Sequence, residues 1–206
     1  MSLIELSTAL VAAGGSVVVP FVNKAMEKTA ARMGDTVDAT LVALFTKAQH
    51  LLAATGREPQ SIEPKLMVPL VNAARLEADD TLVDKWAALL ANAVDSAQRI
   101  QVQPAFVEVL RQLTPTDALV LQKLYFPAGI QPGRSPAGSI MLQQLMALGS
   151  EKDQITVSVD NLLRLRLCVG GEVKSGIIPD DPARPVYILS TAFGTQFMLA
   201  CTPPSA

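Results

Sequence analysis

The raw material of catalysis is scarce in this chain. Its 206 residues include one histidine, His50, one tryptophan, Trp86, and two cysteines, Cys168 and Cys201. The cysteines form neither a CxxC pair nor a His/Cys cluster, so a disulfide framework or zinc site is not expected; buried thiols in a reducing cytoplasm are. Only 17% of residues are charged, against about 25% in an average globular domain. So few charges leave little to cover a monomer, and the expected consequence is a homo-oligomer, or contact with a protein partner or a membrane. Lys and Arg number 9 against 11 Asp and Glu over residues 1–102, and 8 against 8 over 103–206. Neither half has the basic excess of a dedicated nucleic-acid binder. Gly129, Gly133 and Gly138 match no phosphate-binding spacing. His50 falls roughly 140° from the centre of its helix's apolar face at ~100° per residue. It is expected at solvent, without a partner for acid–base chemistry.

What the chain does have is helical periodicity, strongest over residues 64–96. Leu82, Trp86, Leu89, Leu90, Ala93 and Val94 recur as one buried face of a helix. Asp79 or Asp80 stands where an N-cap belongs. Upstream, Leu66, Leu70, Ala73 and Leu76 form a second stripe, and the short link Glu77–Asp80 makes the pair a helical hairpin. Pro69 either begins the first of these helices or kinks it. Glu77, Asp79, Asp80 and Asp84 gather at the turn. Acids there suit helix capping and the helix dipole, with divalent-metal binding as the competing reading. Asn92 sits at the edge of the Trp86 stripe and should hydrogen-bond a neighbouring chain end, as a half-buried amide must.

The same stretch carries a resemblance. Lys65-Leu-x-x-Pro-Leu is followed by Ala73-Ala-Arg-Leu-Glu, by Leu82-x-x-x-Trp-Ala-x-Leu-Leu-Ala-Asn-Ala, and by Gln103-Pro-Ala-Phe-Val-Glu-Val-Leu. This order resembles the bacterial abortive-infection alpha family. Asp160-Asn-Leu-Leu-Arg-Leu-Arg-Leu and Leu189-Ser-Thr-Ala-Phe-Gly-Thr-Gln-Phe-Met are similar as well. The resemblance implies a role in defence against phage and implies no reaction. Its motif residues Pro69, Arg75, Glu77, Trp86 and Asn92 read as structural.

Around that centre, residues 6–22 contain no charge. As a helix they would be about 25 Å long, short of the ~30 Å hydrocarbon core of a bilayer. They are expected to serve packing or assembly, with membrane contact as the alternative. Glu5 and the lack of an early Lys or Arg argue against a secretory signal. Residues 23–33 read as a short helix. A longer one follows Asp35, lined by Val37, Leu41, Leu44, Phe45, Ala48, Leu51 and Leu52, and Gly56 ends it.

From Gln103 the pattern changes. Phe106, Leu110 and Leu113 face inward from a short helix. Thr114-Pro115-Thr116-Asp117 then places Thr at N-cap, Pro at N1 and an acid at N3. Residues 127–139 form a loop and 140–149 a helix. Ser158 caps a helix through Leu165, and Val157–Val159 and Leu167–Val169 are β-prone flanks. Pro185-Val-Tyr-Ile-Leu returns as a strand, and an amphipathic helix over Thr191–Cys201 presents Phe193, Phe197 and Leu199. Helices followed by a two-stranded ribbon resemble a winged helix, with residues 158–166 in the recognition position. Arg164, Arg166 and, on the wing, Lys174 would then meet nucleic acid. Three cations beside Asp160 and Glu172 are few for phosphate binding.

The fold expected is mainly α: an apolar N-terminal segment over 1–34, a helical bundle over 35–102 and a winged-helix-like α+β part over 103–206. The function expected is non-enzymatic phage defence through protein–protein or membrane interaction, in the cytoplasm or associated with its membrane, with no cofactor or metal. A DNA-binding regulator and a membrane-perturbing effector are the alternatives. A fusion carrying residues 1–33 is expected to remain wholly soluble when membranes are washed; its recovery with lipid would favour the effector.

Overall fold

A computed structural model of the chain describes residue 24 and residues 39–97, 100–126, 138–146, 152–171 and 187–205. These residues hold eight helices and one three-stranded antiparallel sheet near the C-terminus. Contacts divide the chain into two units, Met1–Gln112 with Leu199–Ala206, and Leu113–Met198. The expected N-terminal segment, the helix over 23–33 apart from Lys24, the cap at Asp35 and the position of Val37 lie outside the described residues.

In the first unit, α1 (Ala39–Ala53) buries Leu41, Leu44, Phe45, Ala48 and Leu52. Gly56 follows it at φ 69°, the left-handed conformation that a residue without Cβ adopts most readily. α2 (Pro64–Ala74) begins with Pro64, so Pro69 neither starts the helix nor stops it. The buried positions of α2 are Met67, Leu70, Val71 and Ala74. This corrects the expected stripe. Because α2 ends at Ala74, Leu76 falls in the turn beyond it and is 80% exposed.

α3 (Asp80–Val94) is buried almost all round, every residue from Trp86 to Asn92 included. A helix with apolar or small residues on all sides can be stable only inside a bundle. It packs most extensively on α1, while α4 (Pro104–Leu110) packs on α2. Since α4 belongs to this bundle, the first unit runs to Gln112, beyond the boundary at 102 expected from the sequence.

The second unit opens with α5 (Pro115–Tyr125), whose start is the capping box read from Thr114 and Asp117. Then come β1 (Ser139–Met141), α6 (Leu142–Met146), α7 (Lys152–Arg164), β2 (Cys168–Gly171), β3 (Tyr187–Ser190) and α8 (Ala192–Ala200). The division between units falls within α8. The sheet order is β1-β3-β2, both pairings antiparallel, with Ile140 opposite Ile188 and Val169 opposite Leu189.

Two expectations are corrected here. Of the helix expected over 140–149, residues 140 and 141 belong instead to strand β1 and 142–146 form the five residues of α6, which makes the ribbon a three-stranded sheet, while residues 147–149, like 127–137 of the expected loop, lie outside the described residues. Gly138 brings the chain so near α5 that a Cβ there would lie 2.0 Å from the Leu124 carbonyl oxygen. The Gly138 carbonyl accepts from Ser190 N at 2.9 Å, which sets the following residues alongside β3. The helix expected from Ser158 begins earlier, at Lys152, and Val157–Val159 lie inside it.

A buried tyrosine closes this unit. Tyr125 Oη donates to the Leu167 carbonyl at 2.5 Å and accepts from Thr191 N at 3.0 Å, joining the end of α5 to the chain before β2 and before α8. Gly194 packs against this junction: a Cβ would lie 2.0 Å from Tyr125 Oη and 2.4 Å from the Leu167 oxygen. Gly194→Ala is therefore expected to destabilise the unit by about 1–3 kcal/mol, the usual cost of overpacking. Chemical denaturation checks it. In a Tyr125→Phe background the same substitution should cost less, because one of the two clashing oxygens is gone.

Candidate functional site

The helix in the position assigned to recognition is α7, and its two sides differ in chemistry. Ile155, Ser158, Val159 and Leu162 are buried. At ~100° per residue, Asp153, Val157, Asp160 and Arg164 fall within a narrow arc opposite them, and all four are exposed. Val157 is 67% exposed. Of the expected nucleic-acid contacts, Arg164 lies at the end of this ridge and donates to Asn161 Oδ1 at 2.7 Å.

Arg166 is exposed but sits past the helix end with φ 61°. Arg166 N reaches the Leu163 carbonyl and Leu167 N the Leu162 carbonyl, each at 3.0 Å, a Schellman closure whose left-handed position is ordinarily glycine. Thr191 Oγ1 donates to the Arg166 carbonyl at 2.8 Å, which fixes the turn. Lys174 lies outside the described residues. The structure therefore does not gather the three cations into one described patch.

The inner side of α7 holds a cluster that sequence reasoning missed. Ser158 is no N-cap: it is buried in mid-helix and donates its hydroxyl to Asp117 Oδ1 at 2.5 Å. Asn161 Nδ2 donates to Asp117 Oδ2 at 3.0 Å, and that oxygen also accepts from Thr114 N at 2.8 Å. Asp117 is only 1% exposed. A carboxylate taken out of water needs its lone pairs filled, and here three donors and the N-terminus of α5 fill them. The signal available in the sequence was a serine and an asparagine three residues apart, one side of a helix, together with a box acid that needed further donors. A hydroxyl this buried and already donating is placed to hold two helices together.

In the first unit the family-motif residues lie in α2, in α3 and in the turn between them. Asn92, 5% exposed, donates through Nδ2 to the carbonyls of Ala88 at 3.0 Å, Ala200 at 2.9 Å and Thr202 at 2.8 Å. Trp86 is fully buried beside it in α3, its indole N–H meeting no acceptor among the described residues. Pro69 lies inside α2, and the Arg75 amide caps that helix by donating to Val71 O.

Of the acids at the turn, Asp79 caps α3 and Glu77 holds the turn that precedes it. Asp79 Oδ1 accepts from Leu82 N at 3.1 Å, and Glu77 Oε1 accepts from Ala78 N at 3.0 Å and Asp79 N at 3.1 Å. Asp84 pairs with Lys47 at 2.6 Å instead of joining them. Among the described residues no three His, Cys, Asp or Glu side chains are grouped to hold a metal ion. A further ion pair, Arg57 with Asp95, is largely buried, and Arg57 also donates to the Ser205 carbonyl, so residues 200–205 are held at both Asn92 and Arg57. His50 is exposed.

Residues 41–201 match the sequence family described as abortive infection alpha. The chain belongs to the abortive infection alpha family. No curated protein and no solved structure matches it. The family match spans both the Asn92 anchor and the Asp117–Ser158–Asn161 cluster, so membership covers the bundle and the sheet-bearing unit alike.

Both family-region thiols are sealed off. Burial pushes Cys168 and Cys201 up to about 12 from an ordinary 9.0, and desolvation also raises Tyr125. Because the folded thiols hold their protons more tightly, the stability this contributes is present below pH 9.0 and is lost as pH rises from there toward about 12. Native protein at neutral pH is expected to resist thiol reagents until it is unfolded, and Cys→Ala variants should lose part of the alkaline dependence of the melting temperature. Asp117→Ala, which strands Ser158 and Asn161 and removes the capping box, should cost about 2–4 kcal/mol. Asn92→Ala should cost about 1–3 kcal/mol. Denaturant titration of each variant checks both.

Proposed function

We propose that this chain serves abortive infection as a non-enzymatic interaction protein, and that its second unit is a winged helix which binds protein rather than DNA. Family membership supports the biological role. The element order helix–strand–helix–helix–strand–strand, with sheet order β1-β3-β2, supports the winged-helix reading.

The observation that carries the choice of protein is the outer ridge of α7. A helix that enters a DNA groove must approach phosphates. Here Asp153 and Asp160 stand exposed on either side of an exposed Val157. Both acids would be brought against a polyanion. An exposed apolar side chain with a polar surround suits a protein contact instead.

Arg164 and Arg166, both exposed at one end of α7, are what favours the DNA-regulator reading. No helix among the described residues is long and apolar enough to cross a membrane. The membrane reading rests on residues 6–22, outside those residues. The small share of charged residues supports self-association, and native mass spectrometry showing only monomer would remove that part.

A phage panel plated on cells with and without the gene is the direct test. Fewer plaques together with host death are expected from the intact gene, and Val157→Asp, an exposed change that leaves the fold intact, should restore plaques. A salt-dependent gel shift with duplex DNA would overturn the protein-binding choice.

A further inference from the structure

The ridge whose acids disfavour DNA also describes what would fit it. Asp153 and Asp160 take part in no ion pair among the described residues, whereas Arg164 is already engaged with Asn161. Seven residues of helix set the two carboxylates about 10 Å apart along the axis, on the same side. Val157, 67% exposed, lies between them. A ligand that uses this ridge must neutralise two acids and cover one apolar side chain in a single line.

We infer that α7 docks a basic amphipathic helix of a partner protein, with Lys or Arg seven residues apart meeting Asp153 and Asp160 and a leucine-like side chain between them on Val157. The inference rests on the protein-binding reading above and adds the chemistry of the partner. A helix lying alongside α7 at the usual 8–10 Å repeats the same spacing, and long basic side chains reach across it while their stems cover Val157. Anionic lipid would meet the same repulsion as DNA. A second copy of α7 laid antiparallel would match Asp153 with Arg164, but it would also bring the two Asp160 carboxylates together near the two-fold axis.

The test uses the full chain and a fluorescently labelled synthetic helix with Lys at its first and eighth ridge positions and Leu at the fourth, followed by anisotropy. Binding is expected, weakening as salt is raised. Asp153→Asn with Asp160→Asn should weaken it about 3- to 10-fold, and Val157→Ser by a similar factor. The decisive arm exchanges charge. Asp153→Lys with Asp160→Lys should lose the Lys peptide and acquire one with Glu at the same two positions, which the wild type does not bind. All these positions are exposed, so circular dichroism should be unchanged.

Equal binding of the Glu peptide by the wild type, or no exchange in the reversed variant, overturns the inference. The broader reading fails separately. Duplex DNA bound at low salt overturns protein binding itself. Loss of phage protection in Val157→Asp with full protection in the Asp→Asn pair preserves protein binding and overturns the basic partner.

Discussion

A carboxylate buried to 1% exposure must find its hydrogen bonds inside the protein, and Asp117 finds them on two helices at once. Its bonds to Thr114 N, Ser158 Oγ and Asn161 Nδ2 turn the first residues of α5 and the middle of α7 into one polar joint inside an apolar packing. Removing any partner leaves a buried charge short of a donor, so the joint acts as a unit. It also sets the rotation of α7 about its own axis. With Ser158 and Asn161 turned toward Asp117, residues 153, 157, 160 and 164 are turned outward. The surface on which a function is proposed is thus the reverse side of a structural requirement.

The first unit meets the same requirement differently. α3 is enclosed by apolar and small side chains, and its polar residue at the enclosed end is a neutral amide. Besides the Ala88 carbonyl of its own helix, the Asn92 amide donates to the carbonyls of Ala200, at the end of α8, and of Thr202 just beyond it. Arg57, paired with Asp95, holds the following residues through Ser205. Residues 200–205 are therefore part of the bundle. In both units the interior polar groups connect elements distant in sequence, while apolar periodicity builds the elements themselves.

This division of labour explains which sequence readings hold. The capping box at Thr114, the cap at Asp79 and the left-handed Gly56 each depend on a few neighbouring residues and are legible locally, whereas the burial of α3 almost all round, in place of the one face its periodicity shows, depends on the bundle. The stripe on α2 differs from the expected one because its limits depend on Pro64 and on where the turn begins: the helix ends at Ala74, which leaves Leu76 in the turn and exposed. The three residues of β1 have too little length to show a period, and only their pairing with β3 makes them a strand. Ser158 reads as a cap because serine favours that position; its burial in mid-helix makes sense only with Asp117, 41 residues away, as its acceptor.

The sequence by itself determined the mainly helical class, most helix starts and stops, the scarcity of chemistry-bearing side chains and the family motifs, because each arises from short-range periodicity, capping or composition. Tertiary structure alone decided that the box acid is also a buried joint, which segment of the chain meets the Asn92 amide, and that the exposed line of α7 bears two acids around a valine. Those facts depend on which side of each helix faces its neighbours. That rotation is set by long-range hydrogen bonds and close packing, which residues adjacent in sequence do not specify.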